Sequence, residues 1–162
     1  MIVFLLFYNI GANQKMSIQE AENLKKQFGD KIKDIDAIGI FFNNFGISSV
    51  MFIPGFGVAT GIFSGYGTGL VFSALSITDK SLENVSPFSI LITPFGIMEV
   101  LAYGIAMSRS GLIIYERLVK KIPLRQIVRA LIIEIIIVLV ILLAAAFIEW
   151  EIIKEFGKIT DS

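Results

Sequence analysis

The sequence predicts an all-α fold: a polytopic bundle of transmembrane helices that forms a single domain over residues 1–162. Composition is the first reason, because 55% of the residues are hydrophobic and only 17% are charged, against about 25% in soluble domains. The second is the distribution of charge, since residues 130–148 contain Glu134 as their single charged residue. A bilayer can bury such stretches, because each spanning helix needs about 20 mostly apolar residues.

Four segments are long and apolar enough to be predicted as spans. They are residues 36–53, 58–77, 87–107 and 130–149. Pro54 to Gly57 form a tight turn between the first two, which predicts an antiparallel helical hairpin. Thr78 to Ser86 form a polar loop before the third span. Pro94 and Gly96 interrupt that third span, so we expect a kink or a break near its middle.

The first ten residues, Met1 to Ile10, are apolar but short. As a helix they would rise about 15 Å, half of the hydrocarbon core. They have no basic flank before them and no small-residue cleavage site after them, so they do not fit a signal peptide. We interpret them either as the end of a helix that starts upstream or as a segment that enters the bilayer without crossing it. They are a candidate fifth span.

Residues 17–35 predict an amphipathic helix. Ser17 and Glu20 have the spacing of a capping box, which satisfies two free amide donors at a helix start. Apolar residues recur at steps of three and four, as on one face of a helix: Ile18, Ala21, Leu24, Phe28, Ile32 and Ile35. We expect this helix to lie on the membrane surface or to pack on the bundle. A helix that binds a partner is the alternative.

A row of glycines in the second predicted span is the clearest packing pattern of the sequence. Gly57, Gly61, Gly65 and Gly69 repeat every four residues and therefore share one side of a helix. Small residues at this spacing let helix backbones approach closely in membranes. We interpret the row as a helix-packing seam, and a homo-oligomer, most simply a dimer, is one structure that it would support. A flexible gating helix is the alternative.

Glu99 is the residue singled out as a candidate intramembrane polar site. An ionisable side chain at bilayer depth costs roughly 2.5–3.5 kcal/mol on insertion scales, so it is a functional candidate by default. Asn43 and Asn44 lie near the middle of the first predicted span, and Pro94 and Gly96 precede Glu99 closely. Glu99 would bind an ion, pair with another helix, or stay neutral and hydrogen-bonded to one of the two asparagines. Glu134 is expected to pair with Arg129 or another basic residue of the loop before it.

Side chains that carry catalysis are scarce. The sequence has no Cys and no His, which removes thiolates, the commonest metal ligand and the commonest general base. Asp36 only marks the edge of a predicted span, and Ser64 has no His to activate it as a nucleophile. The net charge is zero, so nothing favours nucleic acid as a partner. We expect a non-enzymatic protein with no catalytic residues, no metal and no cofactor.

The distribution of basic residues predicts the orientation. Six of the 14 basic residues lie in residues 109–129, so the positive-inside rule predicts that this basic loop is cytoplasmic in a cell membrane. The 78–86 loop, the 17–35 helix and the C-terminus are then external, and the Pro54 turn is cytoplasmic. Against this orientation, five lysines fall on the external side: Lys15, Lys25, Lys26, Lys31 and Lys33.

The order of these motifs is familiar from a known family. An Asn pair within a span is followed by a turn, a glycine-rich span, and a Pro-x-Gly-x-x-Glu motif that leads into small residues. In this chain the motifs are Phe42-Asn43-Asn44, Gly55 to Gly69, Pro94-Phe95-Gly96-Ile97-Met98-Glu99, and Ala102, Ala106 and Gly111. They resemble the stage II sporulation protein M family of multi-pass membrane proteins, over roughly residues 38–112.

The resemblance implies a membrane scaffold more than a specific reaction. Bacterial namesakes of the family are regarded as scaffolds that recruit cell-wall-remodelling partners, and some members look like accessory subunits of transport systems. Asn43, Asn44, Gly96 and Glu99 match its polar and glycine positions. Two features depart from its pattern: Phe95 stands where the family commonly has His, and the first apolar segment is shorter than a full span.

Two hypotheses follow for function. The first is a non-enzymatic scaffold or assembly subunit of a membrane complex, with the bilayer, further copies of the chain or other membrane proteins as partners. The second is a permease or channel component that uses Glu99 beside the Pro/Gly break, because broken helices line substrate sites in many transporters.

Overall fold

A computed structural model describes residues 1–32, 35–82 and 84–160. This part of the chain is helical and has no strand, which confirms the all-α class. The helices are α1 (Ile2–Ala12), α2 (Ile18–Ile32), α3 (Ala37–Met51), α4 (Gly57–Thr78), α5 (Phe88–Leu91), α6 (Pro94–Leu118) and α7 (Leu124–Thr160). Residues 33–34 of the predicted 17–35 helix, residue 83 of the predicted loop and the last two residues of the predicted domain lie outside the described residues.

Three of these helices are long and apolar enough to cross a membrane. They are α4, α6 and the Leu124–Glu155 part of α7. Helices α1 and α3 are apolar but have only 11 and 15 residues. The bundle of membrane-spanning helices is therefore supported, whereas the predicted count of four spans is not confirmed.

Helix α3 is shorter than the predicted span 36–53 because both its ends are fixed. Asp36 caps the start, where its Oδ1 accepts a hydrogen bond from the amide of Gly39 at 2.7 Å. Beyond the other end, Pro54 has no N–H to continue a helix, and Gly55 has a φ of 85°, which favours glycine. The 15 helical residues rise about 22 Å.

The third predicted span is broken, as expected, but the break lies near its start. Thr93 separates α5 from α6, and its Oγ1 accepts a hydrogen bond from the amide of Gly96 at 3.1 Å. Pro94 occupies the first turn of α6, where its missing N–H costs nothing. Helix α6 then continues to Leu118 instead of ending at Met107, and α7 begins at Leu124, so only residues 119–123 of the predicted 109–129 loop are not helical. The cause is Arg109, whose charge is paired inside the bundle.

Local signals set the starts of the remaining helices. The capping box is confirmed, because the amide of Ser17 donates to Glu20 Oε2 at 2.8 Å and Glu20 donates back at 3.3 Å. These hydrogen bonds lower the pKa of the exposed Glu20 carboxyl. Pro123 directly precedes α7, within which the predicted span 130–149 lies.

The helices pack as two adjoining groups. Helix α4 lies between α1 and α2, while α3, α6 and α7 contact one another. The amphipathic α2 packs on α4 through Ala21, which is fully buried, whereas Ile18 is exposed. Helix α1 lies against α4 over its whole length, and Tyr8, also fully buried, donates a hydrogen bond to the carbonyl of Pro87 at 2.5 Å. The short N-terminal helix is therefore part of the core.

Candidate functional site

The candidate polar site joins α3 to α6. The side-chain amide of Asn44 donates to Glu99 Oε1 at 2.5 Å, and the hydroxyl of Tyr103 donates to Asn44 Oδ1 at 3.2 Å. Glu99 and Tyr103 are four residues apart on α6 and so lie on the same face. Asn44, only 8% exposed, has its donor and its acceptor both satisfied by the neighbouring helix. Of the interpretations given for Glu99, the structure shows the hydrogen bond to an asparagine, Asn44.

Asn43 lies at the edge of this site and not within it. Its side-chain amide donates to Asn44 Oδ1 at 3.2 Å, but the residue is exposed on the outer face of α3. Asn44 Oδ1 therefore accepts two hydrogen bonds, one from inside the bundle and one from its surface. The two adjacent asparagines have different environments because neighbouring helical positions are about 100° apart.

Helix α7 brings a second carboxyl group towards Glu99. The side chain of Glu149 lies within electrostatic range of Glu99, and both residues are partly buried. Sequence reasoning did not find Glu149, because it marked the last residue of a predicted span. Its position depends on the antiparallel register of α6 and α7, and no local sequence signal gives that register.

Gly96 and Pro94 shape the backbone before the site and do not contact Glu99. A Cβ atom on Gly96 would collide with the carbonyl oxygen of Ile90, so glycine lets α5 lie close to the first turn of α6. Pro94 is exposed and ends the preceding turn. The predicted site residues thus divide into a bonded group on α3 and α6 and a pair that sets where α6 begins.

A second polar cluster, built around Arg109, lies further along α6. Arg109 is 7% exposed and donates from Nε to Glu134 Oε2 at 2.6 Å and from Nη2 to Glu134 Oε1. Its Nη1 donates to Glu116 Oε2 at 3.2 Å. The two-pronged contact with Glu134 is the strongest geometry for such a pair. A basic partner for Glu134 was expected, and it is Arg109; Arg129, the residue named for this pairing, is exposed.

Ser110, next to Arg109, is a functional position that sequence reasoning missed. Its hydroxyl donates to the carbonyl of Ile53 at 2.6 Å. It also accepts from the amides of Gly55 and Gly57, each at 3.1 Å. One side chain of α6 therefore satisfies three backbone groups of the turn between α3 and α4. A small polar residue in an apolar helix was the only available signal.

The glycine row is packed within the chain. A Cβ atom on Gly65 would lie 2.6 Å from the carbonyl oxygen of Phe4, and one on Gly69 would collide with the carbonyl oxygen of Tyr8. At the other end of the row, Gly61 meets the sulfur of Met107, and Gly57 lies against Ser110. The seam is thus covered by α1 and α6 of the same chain, and a homo-oligomer would need another surface.

The polar atoms inside the bundle all have partners. Every buried side-chain nitrogen or oxygen in the described ranges takes part in a hydrogen bond. Within the same ranges, no three His, Cys, Asp or Glu side chains come together where they could hold a metal ion. Some of these groups connect different helices, as Asn44 and Arg109 do, whereas the buried Ser48 hydroxyl bonds within its own helix.

Apolar helices of membrane-spanning length, joined by buried amide, hydroxyl and carboxyl contacts, define a polytopic helical membrane protein. Residues 1–150 match the family described as Stage II sporulation protein M. This match covers more than half of the chain, so the chain belongs to that family. It extends the resemblance noted for residues 38–112 to both ends of the bundle. No curated protein and no solved structure matches the chain.

Proposed function

We propose that this protein is a non-enzymatic scaffold or assembly subunit of a membrane complex. The observation that carries the proposal is the hydrogen bond between Asn44 and Glu99. The ionisable group that would serve a solute or a proton is bonded to a neighbouring helix and fixes the position of that helix. A rigid, internally bonded bundle suits a protein whose task is to hold partners in place.

The cavities of the bundle favour the same conclusion. A cavity of about 470 Å³ lies between α6 and α7 beside Arg109 and Glu134, and a groove of about 690 Å³ lies along the first turns of α7. Neither is lined by Glu99 or Asn44. A transport site would be expected to open on a hydrated cavity at Glu99.

We further propose four spans, with α3 as the fourth. Two contacts support a path of α3 alongside α6: Asn44 meets Glu99, and Ile53, just beyond the end of α3, meets Ser110. The second contact also groups the Pro54 turn with the end of α6. Exposed basic residues cluster there and favour a cytoplasmic position by the positive-inside rule: Arg117, Lys120, Lys121, Arg125 and Arg129.

The outer face of α3 is the surface that we propose for self-association or for a membrane partner. Asn43 is exposed there, and Phe42 is 64% exposed. Gly46, one turn further, has open space where a side chain would be. An asparagine facing lipid needs a polar partner, and small residues allow a second helix to approach closely.

Affinity purification in mild detergent tests the scaffold proposal. We expect a membrane partner to co-purify at fixed stoichiometry, and we expect the Glu99→Gln variant to retain it, because glutamine can still accept from Asn44. The proposal would be contradicted if the protein purified without a partner and liposomes containing it conducted a solute, with that flux abolished in the Glu99→Gln variant.

A permease or channel component is the second candidate. It is favoured by the partly buried carboxyl groups of Glu99 on α6 and Glu149 on α7, two helices that pack on each other. Ionisable groups inside a membrane bundle mark ion and proton pathways, so a cation or a proton is the cargo that this candidate would carry. Liposomes with the purified protein should then show cation- or proton-coupled flux, and the absence of flux across a broad solute panel would eliminate this candidate.

A further inference from the structure

An open surface groove along the first turns of α7 is lined by residues of that helix alone, and they form a charged part, called the rim, and an apolar part, called the floor. Arg125, Gln126 and Arg129 line one part of it, and Val128, Ile132 and Ile133 line the other. Its volume is about 690 Å³. The apolar residues are 40–51% exposed. Val128 lies between the two arginines, and Ile132 and Ile133 lie further into the membrane-spanning part of α7.

The two arginines are placed to act together. Arg125 and Arg129 are four residues apart and therefore neighbours on one face of the helix. Two like charges at this spacing repel each other and disfavour the helix, so the pair favours an anion that bridges it. A guanidinium binds phosphate oxygens in a two-pronged geometry, which makes arginine suited to phosphate groups.

The neighbouring acids do not neutralise this pair. The carboxylates of Glu116 and Glu134 both contact Arg109. Within the described part of the chain, neither Arg125 nor Arg129 forms a salt bridge. The first turn of α7 also contains no acidic residue. Glu116 and Glu134 are thus paired with Arg109, and the groove keeps the positive charge of Arg125 and Arg129.

We propose that this groove binds an anionic phospholipid of the surrounding bilayer. The phosphate would lie between Arg125 and Arg129, and an acyl chain would run over Val128, Ile132 and Ile133. Charge complementarity selects the headgroup, and the apolar floor selects a lipid over a free anion. Basic pockets at the ends of transmembrane helices are a known means of holding anionic lipids.

Native mass spectrometry of the full-length protein in mild detergent tests the proposal. Phosphatidylglycerol and phosphatidylcholine with identical acyl chains are titrated separately, and bound lipid is counted. We expect phosphatidylglycerol to bind more tightly than phosphatidylcholine. The double variant R125Q/R129Q should bind phosphatidylglycerol at least roughly tenfold more weakly, since each basic side chain near the surface contributes to the attraction. The variant R125K/R129K should show an intermediate loss, because lysine keeps the charge but not the fork.

The matched control is K120Q/K121Q, which removes the same charge from the neighbouring exposed connection. We expect it to change lipid binding less than about twofold. Equal losses in the two double variants would indicate diffuse attraction and overturn the groove. Equal binding of the two lipids would overturn the headgroup contact.

Two further probes identify the source of the phosphate. Inorganic phosphate and a short-chain, water-soluble phosphatidylglycerol are added as competitors. We expect the long-chain lipid to outcompete both, because only it covers the apolar floor. Displacement by inorganic phosphate at equal concentration would show a free-anion site and overturn the lipid proposal. Circular dichroism of each variant verifies that the helices are retained.

Discussion

Arg109 is the residue with the most charged contacts in the bundle. It contacts Glu134 through two nitrogens and Glu116 through a third, in a segment that the sequence alone marks as a basic loop. The sequence shows the charge of Arg109 but not its partner, which lies 25 residues further on. From sequence alone, a charged residue is predicted to be exposed unless the residue that neutralises its charge is known. For this reason sequence reasoning did not predict that the helix continues through Arg109 to Leu118.

Removing Arg109 should destabilise the protein strongly. In Arg109→Leu, the carboxylate of Glu134 would lose both of its hydrogen bonds while staying in the helix pair. Leaving one charge of a buried pair without its partner costs about 3–5 kcal/mol, and we expect the lower end because Glu134 is partly exposed. Thermal unfolding in detergent measures the loss. The double variant R109L/E134L should recover most of it, and a double variant as unstable as the single one would contradict the ion-pair explanation.

Asn44 and Glu99 should respond differently to substitution. Asn44→Leu leaves the Glu99 carboxyl and the Tyr103 hydroxyl without their partner, which costs roughly 1–3 kcal/mol for each group left unsatisfied. Glu99→Gln retains an oxygen that accepts from Asn44, so its unfolding temperature should change little. Asn43→Leu is the control, since Asn43 is exposed and makes a single bond. A Glu99→Gln variant as unstable as Asn44→Leu would show that the charge, and not the hydrogen bond, holds α3 to α6.

Helix starts were the features that the sequence predicted best. The Ser17–Glu20 box and the Pro54 turn each depend on a few neighbouring residues, and each is confirmed. A break in the third span was also expected from Pro94 and Gly96, but it lies nearer the start of the span than predicted. The glycine row was visible for the same reason. The helix that covers it was not, because α1 is too short to be recognised as a span. Packing partners depend on distant parts of the chain, and a single sequence carries little information about them.

The glycine row predicts a graded series of substitutions. Gly69→Ala should destabilise most, since its Cβ would meet the backbone of α1, which cannot move without unpacking the helix. Gly61→Ala should cost less, because the obstacle is the flexible side chain of Met107. Overpacking of this kind costs about 1–3 kcal/mol. Thermal unfolding in detergent measures the order.

Gly67 provides the control within the same helix. It has open space around the position of a Cβ atom, so Gly67→Ala should be neutral or slightly stabilising through helix propensity. Equal losses at positions 61, 67 and 69 would mean that glycine flexibility, and not close packing, is what α4 requires. That outcome would favour the gating interpretation of the row.

At the scale of the whole molecule, the proposed surface for association is the outer face of α3, where Phe42 and Asn43 are exposed. Gly46→Leu should lower the oligomer mass or release a membrane partner, because the bulkier residue blocks close approach beside Asn43. Gly111→Leu is the matched control, since Gly111 is also exposed with open space around it. Light scattering in mild detergent distinguishes the two. Unchanged mass in Gly46→Leu, with any partner retained, would contradict the use of this face.

The hydroxyl of Ser110 has a consequence for the order of biosynthesis. The backbone groups that it satisfies, at Ile53, Gly55 and Gly57, leave the ribosome 53–57 residues earlier. At 5–20 residues per second, this is a delay of roughly 3–10 s. During that interval these backbone groups of the turn lack the Ser110 hydroxyl as a partner. The turn can therefore reach its final hydrogen-bonded arrangement only after α6 has been synthesised and packed beside it.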